Sequence, residues 1–329
     1  MPADLRLRRV QDAATVAAFR LGWRGVRALP ERAACRLFDA VADETVRRDG
    51  KGVQRLRANY ARVRPELQGA ALDALVRDGM RRYLRYYCEA FRLPTMSAEE
   101  LRARVRCLGD KPVRERLARG EATIAFLGHL GNWDLAGAWA EVALGHVVTV
   151  AERLKPEEVF EEFLAFREGL GMRILPLTGG PDVFGELRAA VTEPIILPLL
   201  ADRDLTSSGI EVDFLGGRAS MAAGPAALAV ATRRALHPVS IRHEPRRDLP
   251  GGWGIVVTFH DEVACPETGT AREKAVAMTQ ECAAVLGREI RAHTADWHML
   301  QRVFVDDLVA ASPLSGQVYV PPAEPGTGR

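Results

Sequence analysis

With 329 residues, 47% of them hydrophobic and 27% charged, the chain has the composition of a globular protein and enough length to bury a large core, which excludes disorder as its general state. No run approaches the roughly 18 consecutive apolar residues needed to cross a bilayer, and the first residues lack the pattern of a secretory leader, so a cytosolic setting is expected. The net charge of +2 conceals a polarity: residues 1–120 hold 27 basic against 15 acidic side chains, a net +12, and the remainder is net −10. A basic front implies an anionic partner, either nucleic acid or a phospholipid surface, and composition does not choose between them. Five widely spaced cysteines without a C-x-x-C pair read as buried thiols rather than a disulfide framework or a metal site.

Along the chain, residues 13–27 (AATVAAFRLGWRGVR) set Val16, Phe19, Trp23 and Val26 at helical spacing beside Arg20, Arg24 and Arg27. This is an amphipathic helix with a basic side, fit either to lie in a headgroup layer with Trp23 as anchor or to pack on the domain surface. Helical patterns follow at 31–49, 51–62, 68–92 and 97–107. In the third, RRYLRYYCEAFRLP interleaves tyrosines with arginines, but the helical spacing turns most of the aromatics toward the core. From Ala122 the period changes. ATIAFLG, HVVTVA (146–151), RILPL (173–177) and PIILPLL (194–200) are apolar runs of strand length, and they alternate with helical stretches after Asp134, over 156–170 and near 181–191. That alternation predicts an α/β fold with a mostly parallel central sheet flanked by helices. Beyond residue 210 come EVDF, a helix over 223–235, an antiparallel extension LHPVSIRH with GIVVTFH, and helices over 270–292 and 296–309. We read residues 1–120 as a basic, membrane-facing helical region, 121–310 as an α/β core integrated with it in a single domain, and 311–329 as a flexible tail rich in Pro, Gly and Ser.

The chain contains no G-x-S-x-G elbow, Walker A loop, Rossmann fingerprint or H-E-x-x-H. His237 and His243 are six apart on a strand, about 20 Å, too far to share a metal. What remains is HLGNWD, His129 to Asp134, where an apolar strand runs into a helix; in a parallel sheet this is the edge at which ligands bind. Gly128 and Gly131 let the backbone bend there, so that Asp134 in the first helical turn is expected to fold back onto His129. A carboxylate on one ring nitrogen fixes the tautomer and leaves the other nitrogen free to take a proton. With no Ser or Cys nucleophile close by in sequence, the pair suits direct attack by a substrate hydroxyl, a general-base contribution of roughly 10²- to 10⁴-fold. The plainer reading makes Asp134 a helix cap beside an incidental histidine.

HLGNWD does not stand alone. LGWRGVRALPE (21–31), RYLRYYCEAFRLP (82–94), FLGHLGNWDLAGAW (126–139), AERLKPEEVFEEFLAFREGLGMRILPL (151–177), ADRDLTSSGIEVDFLGG (201–217), MAAGPAALA (221–229) and ADWHMLQ (295–301) together resemble the bacterial lipid A biosynthesis lauroyl/myristoyl acyltransferase family, and within it the actinobacterial phosphatidylinositol mannoside branch. The likeness spans nearly the whole chain. It implies transfer of a fatty acyl chain, palmitoyl foremost, from an acyl-CoA or acyl carrier protein thioester to a mannose hydroxyl of a phosphatidylinositol mannoside. The work would be done at the cytoplasmic face of the inner membrane, with no cofactor, acyl-CoA serving as donor substrate. Two further readings stay open: a related enzyme for another glycolipid or lysophospholipid acceptor, and a non-catalytic protein that binds lipid or nucleic acid through its basic helices.

By this resemblance His129 is the general base, Asp134 its partner, and Asp202 in ADRDL the acid that completes the relay, with Asp204 as the fallback. Glu152, Arg167, Arg203 and Asp204 match polar positions that bind substrate. The family's lipid A enzymes begin with a membrane span that this chain lacks, and many members have Pro where Thr294 stands before the ADWHMLQ segment. Peripheral attachment through Arg20, Trp23 and Arg24 is therefore expected, each basic residue near an anionic phospholipid surface contributing about 1 kcal/mol before screening.

Overall fold

The computed structural model describes residues 25–151, 157–176, 182–204 and 208–309. Arg20, Trp23, Arg24, Glu152 and the tail over 311–329 lie outside them. After a helical turn over 25–28, helices α1 (Glu31–Arg48), α2 (Lys51–Val63), α3 (Gly69–Arg92) and α4 (Ala98–Arg104) precede the first strand. Strand β1 (Val105–Leu108) and helix α5 (Lys111–Ala118) lead to the alternating portion: β2 (Thr123–Leu127), α6 (Trp133–Ala143), β3 (Val148–Ala151), α7 (Glu157–Glu168), β4 (Arg173–Pro176), α8 (Val183–Ala190) and β5 (Ile196–Leu200). A hairpin of β6 (Ile210–Phe214) and β7 (Gly217–Met221) follows, then α9 (Gly224–Thr232), β8 (Ala235–Pro245), β9 (Trp253–Phe259), α10 (Ala271–Ala292) and the short α11 (Val305–Val309).

The central sheet runs β1-β9-β8-β2-β5. All its pairings are parallel except the β8–β9 ribbon. The parallel pair β3–β4 extends it through a bridge between Val147 and Ile196. The mostly parallel α/β architecture is the one the strand–helix alternation predicts.

Side chains alternate across a strand, and β2 shows what that does here. Ile124 and Phe126 face a core shared with α2, α3, α9 and α10, whereas Ala125 and Leu127 face a second core shared with α4, α6 and β9. Being apolar on both faces, β2 reads as a continuous hydrophobic run, as a central parallel strand must.

Three stretches depart from expectation. Val105–Leu108, expected to finish a helix over 97–107, is an edge strand paired with β9 from Val105–Ile255 to Leu108–Thr258. Gly217–Met221 forms a strand the sequence did not suggest; Leu215 at φ 52° and Gly216 at φ 84° make the tight turn that folds it back on β6. The helix expected over 296–309 is helical only from Val305, after a 3-10 turn at Thr294–Asp296. Its first backbone groups are used elsewhere: Gly131 N–H donates to Asp296 O (2.9 Å) and His298 N–H to His129 O (2.8 Å). A backbone group committed to another segment is not available for a helical ladder.

Candidate active site

The site begins with strand register. β2 and β5 are parallel neighbours, with Leu127 level with Leu200. Two residues on from each, past the carboxyl ends of both strands, stand His129 and Asp202. The ladder continues for one more bond, Ala201 N–H to Leu127 O (2.8 Å), and then a side chain takes over: Asp202 Oδ2 accepts the backbone N–H of His129 at 2.9 Å. The other carboxylate oxygen, Oδ1, lies 2.6 Å from His129 Nδ1, so the ring carries its proton on Nδ1 and donates it there. A third donor, Trp297 Nε1, reaches Asp202 Oδ2 at 2.9 Å. Burial pushes the fully buried Asp202 carboxyl upward, but the charge and hydrogen bonds of His129 and the indole N–H outweigh it and hold its pKa below the ordinary carboxylate value.

His129 keeps 19% of its side chain exposed, and its Nε2 has no hydrogen-bond partner among the described residues. The imidazole meets the Trp133 ring edge-on at 5.7 Å between centroids. It stands at the polar end of a cavity of about 550 Å³ between α6 and the sheet. The opposite wall is apolar, with Leu127, Ile196, Val239, Ile241, Val257 and Phe259 contributed by four strands. The space exists because the facing residues are small: Ala125 on β2, and Ala136, Gly137 and Ala140 on α6.

Asp134 does not play the part expected of it. Instead of folding back onto His129, its carboxylate accepts the Tyr86 hydroxyl (2.6 Å) and Arg167 Nε (2.7 Å) and Nη2 (3.2 Å). The reason lies in the turn. Asn132 caps α6 by accepting Leu135 N–H (2.9 Å), so Asp134 already lies within the helix and points toward α3 and α7. Burial works against the Arg167 guanidinium, yet the Asp134 charge more than offsets it and raises its pKa; burial, reinforced by the same carboxylate, pushes the Tyr86 hydroxyl well above its usual range. The plainer reading, with Asp134 as the cap, is also overturned, since Asn132 fills that position.

Among the other expected substrate contacts, Arg167, Arg203 and Asp204 all line the same cavity as His129. Arg203 is hydrogen-bonded to Gln301, and the Asp204 backbone N–H donates to Ser220 O (2.7 Å). Glu152 falls outside the described residues. His237 and His243 are both buried and engage different partners, His237 Nδ1 with His260 O (2.8 Å) and His243 Nδ1 with Asp296 (2.8 Å).

Sequence reasoning missed the supports. Trp297 pairs in a β-bridge with Leu130, and its carbonyl accepts the hydroxyl of the buried Tyr60 (2.9 Å). Asn59 Nδ2 donates to Met299 O (2.8 Å) and Gln301 O (2.9 Å). The ADWHMLQ segment is thus a strap held by α2 and laid across the HLGNWD turn. Both segments carry a recognisable signature in the sequence, but nothing in either shows that they touch.

The bacterial lipid A biosynthesis acyltransferase family model matches residues 3–305. The phosphatidylinositol mannoside acyltransferase of Mycolicibacterium smegmatis is 40% identical over 288 residues, covering 87% of this chain and 90% of that protein. The protein of the same name from Mycobacterium tuberculosis is 40% identical over 311 residues, 94% of each chain. A match of that extent, joined to a histidine–carboxylate pair at the mouth of an apolar cavity, places the chain in the bacterial lipid A biosynthesis acyltransferase family.

Proposed function

We propose that this acyltransferase moves a fatty acyl chain, palmitoyl foremost, from acyl-CoA to a mannose hydroxyl of a phosphatidylinositol mannoside, with His129 as general base and no acyl-enzyme. The acceptor follows from the names of the relatives. The observation that carries the chemistry is the His129–Asp202 pair beside a largely apolar cavity of about 550 Å³.

With Nδ1–H committed to Asp202, the neutral ring offers its Nε2 lone pair toward the cavity. Nε2 takes the proton of the sugar hydroxyl as that oxygen bonds to the thioester carbonyl carbon. The imidazolium so formed lies against the Asp202 carboxylate, which stabilises it. Collapse of the tetrahedral species breaks the C–S bond, and the departing thiolate takes the proton back from Nε2, giving an acyl ester and free CoA thiol. The absence of a serine or cysteine bonded to Nε2 among the described residues supports direct transfer. The apolar walls would hold the acyl chain, while Arg167, Arg203 and Asp204 line the same cavity and would meet the polar parts of the substrates.

The acceptor's own lipid chains stay in a bilayer, so the enzyme has to work at a membrane surface. No helix among the described residues is long and apolar enough to cross one. The +12 front of the chain and the amphipathic segment 13–27 supply attachment to anionic phospholipid at the cytoplasmic face.

The test is incubation with radiolabelled palmitoyl-CoA and phosphatidylinositol mannosides, with the product identified by mass spectrometry. His129→Ala should abolish transfer while folding and lipid binding persist; near-normal turnover in that variant would end the proposal.

A further inference from the structure

Against the HLGNWD turn, among residues that do not line the cavity, lies a chain of charged groups that the reaction does not use. Arg82 Nη1 donates to Asp296 Oδ2 (2.8 Å), and Asp296 Oδ1 accepts both Nδ1 (2.8 Å) and the backbone N–H (3.0 Å) of His243. On the other edge of the ring, His243 Nε2 lies 3.5 Å from Glu89 Oε2. That same oxygen accepts Asn132 Nδ2 at 2.8 Å. The side chains of His243 and Asp296 are 0% exposed and that of Glu89 is 9% exposed. A neutral imidazole has one N–H and one lone pair. Here Nδ1 is hydrogen-bonded to one carboxylate and Nε2 lies within ion-pair distance of another, so a lone pair on either would point at negative charge, which favours the doubly protonated ring.

Each carboxylate residue that faces His243 also holds the turn. Glu89 fixes Asn132, the cap of α6. Asp296 accepts Gly131 N–H through its backbone carbonyl, and two residues on, His298 donates its backbone N–H to His129 O (2.8 Å) and its Nε2–H to Gly131 O (3.0 Å). We propose that His243 is a positioning residue of the transfer site, a buried imidazolium strung between Glu89 and Asp296 that keeps the His129–Asn132 turn in its working shape. It touches neither substrate nor His129. This inference rests on the acyl-transfer reading of the site.

The groups around the ring support a fixed positive charge. On α3 they are Glu89, Arg82 and Arg85; on the strap, Asp296 and His298; on β9, the Trp253 ring at 6.3 Å, with Arg85 over its other part at 4.9 Å. Burial alone disfavours that charge, but the hydrogen bond to Asp296 and the charges of Glu89 and Asp296 outweigh burial and push His243 up to about 9. His298, buried beside that charge, is pushed down to about 3, first by burial and then by His243, and stays neutral.

Two measurements test this. In the wild-type protein labelled with ¹⁵N-histidine, NMR should show His243 doubly protonated at pH 7.5 and losing its proton only near the alkaline end; a neutral ring at pH 7.5 overturns the proposal. In the transfer assay, kcat should fall at alkaline pH with His243, and Glu89→Gln, which removes one of the two anions, should move that fall toward neutrality by about one pH unit or more while KM for acyl-CoA stays nearly unchanged. A Glu89→Gln enzyme that folds and keeps the wild-type alkaline limb refutes the role. The NMR result stands or falls apart from activity, whereas His129→Ala tests the general-base reading alone, so the two failures are distinguishable.

Discussion

Trp297 and His129 share one carboxylate: the indole N–H and the His129 backbone N–H both donate to Asp202 Oδ2, at 2.9 Å each, while Oδ1 is left for the imidazole at 2.6 Å. The two donors fix the plane of the carboxyl group, and so fix where the ring must sit. Asp202→Asn preserves the shape but removes the charge that would stabilise an imidazolium at His129. We expect kcat to fall roughly 10²- to 10⁴-fold with folding retained, checked by acyl-transfer kinetics and circular dichroism. Trp297→Phe keeps most of the volume and deletes one donor to a buried charge, so it should cost about 1–3 kcal/mol in urea unfolding.

The Asp134–Arg167 pair is largely buried, with side chains 2% and 18% exposed. Removing one partner strands the other charge, so Asp134→Asn or Arg167→Met alone should cost about 3–5 kcal/mol of stability. The double variant should recover part of that loss. Fully additive losses in urea unfolding would show that the two groups do not depend on each other.

Gly131 has φ 56°, and a Cβ there would stand 2.7 Å from the carbonyl oxygen of Ile241. Gly131→Ala is therefore strained in both backbone and space, and relief requires moving the turn away from β8. The expected outcome is a loss of roughly 1–3 kcal/mol in thermal or urea unfolding. Transfer activity should fall with it, because His129 moves too.

Acid should weaken the fold through its buried carboxyls. Burial raises the carboxyls of Glu89, Asp202 and Asp296, but their histidine partners more than reverse this and leave all three below their ordinary values. Groups depressed in this way contribute stability that is present above the unfolded carboxylate range, about pH 4, and lost as pH falls through their lower folded values. His243 works in the opposite sense. Raised to about 9, it contributes fully below its unfolded value near 6.5, and that contribution is lost as pH climbs through about 9. Urea midpoints measured from pH 3 to pH 10 should give a dome with both flanks falling, and Glu89→Gln should blunt the two.

Membrane attachment is tested apart from catalysis. Trp23→Ala combined with Arg20→Glu and Arg24→Glu should lower sedimentation with anionic liposomes and leave binding to neutral ones little changed. Unchanged sedimentation would remove segment 13–27 from the proposal.

How far the sequence carries the reader depends on whether a residue's partner is local. Strand β2 announces itself through five consecutive apolar or Thr residues, and α10 through the capping box of Thr270 and Glu273. β1 gives no such sign. Its four residues follow directly on α4, and only a partner 150 positions away makes them a strand. Asp134 misled for the same reason in reverse: five residues from His129, it is near in sequence, yet the Asn132 cap winds it into a helix that points elsewhere. Asp202 is 73 positions from His129; the family resemblance points to it, but in the residues themselves nothing pairs the two until the β2–β5 register brings them together. The link between His243 and the turn, through Glu89 on one side and Asp296 on the other, was legible nowhere, because three segments distant in sequence have to meet before it exists.

The small residues Ala125, Ala136, Gly137 and Ala140 leave greasy surfaces unpacked against each other, which forgoes dispersion energy that a tightly filled interior would gain. A guest alkane tail restores those contacts, so the lipid-loaded enzyme should melt at a higher temperature than the delipidated one. Single-chain detergents used in purification would compete for the same berth.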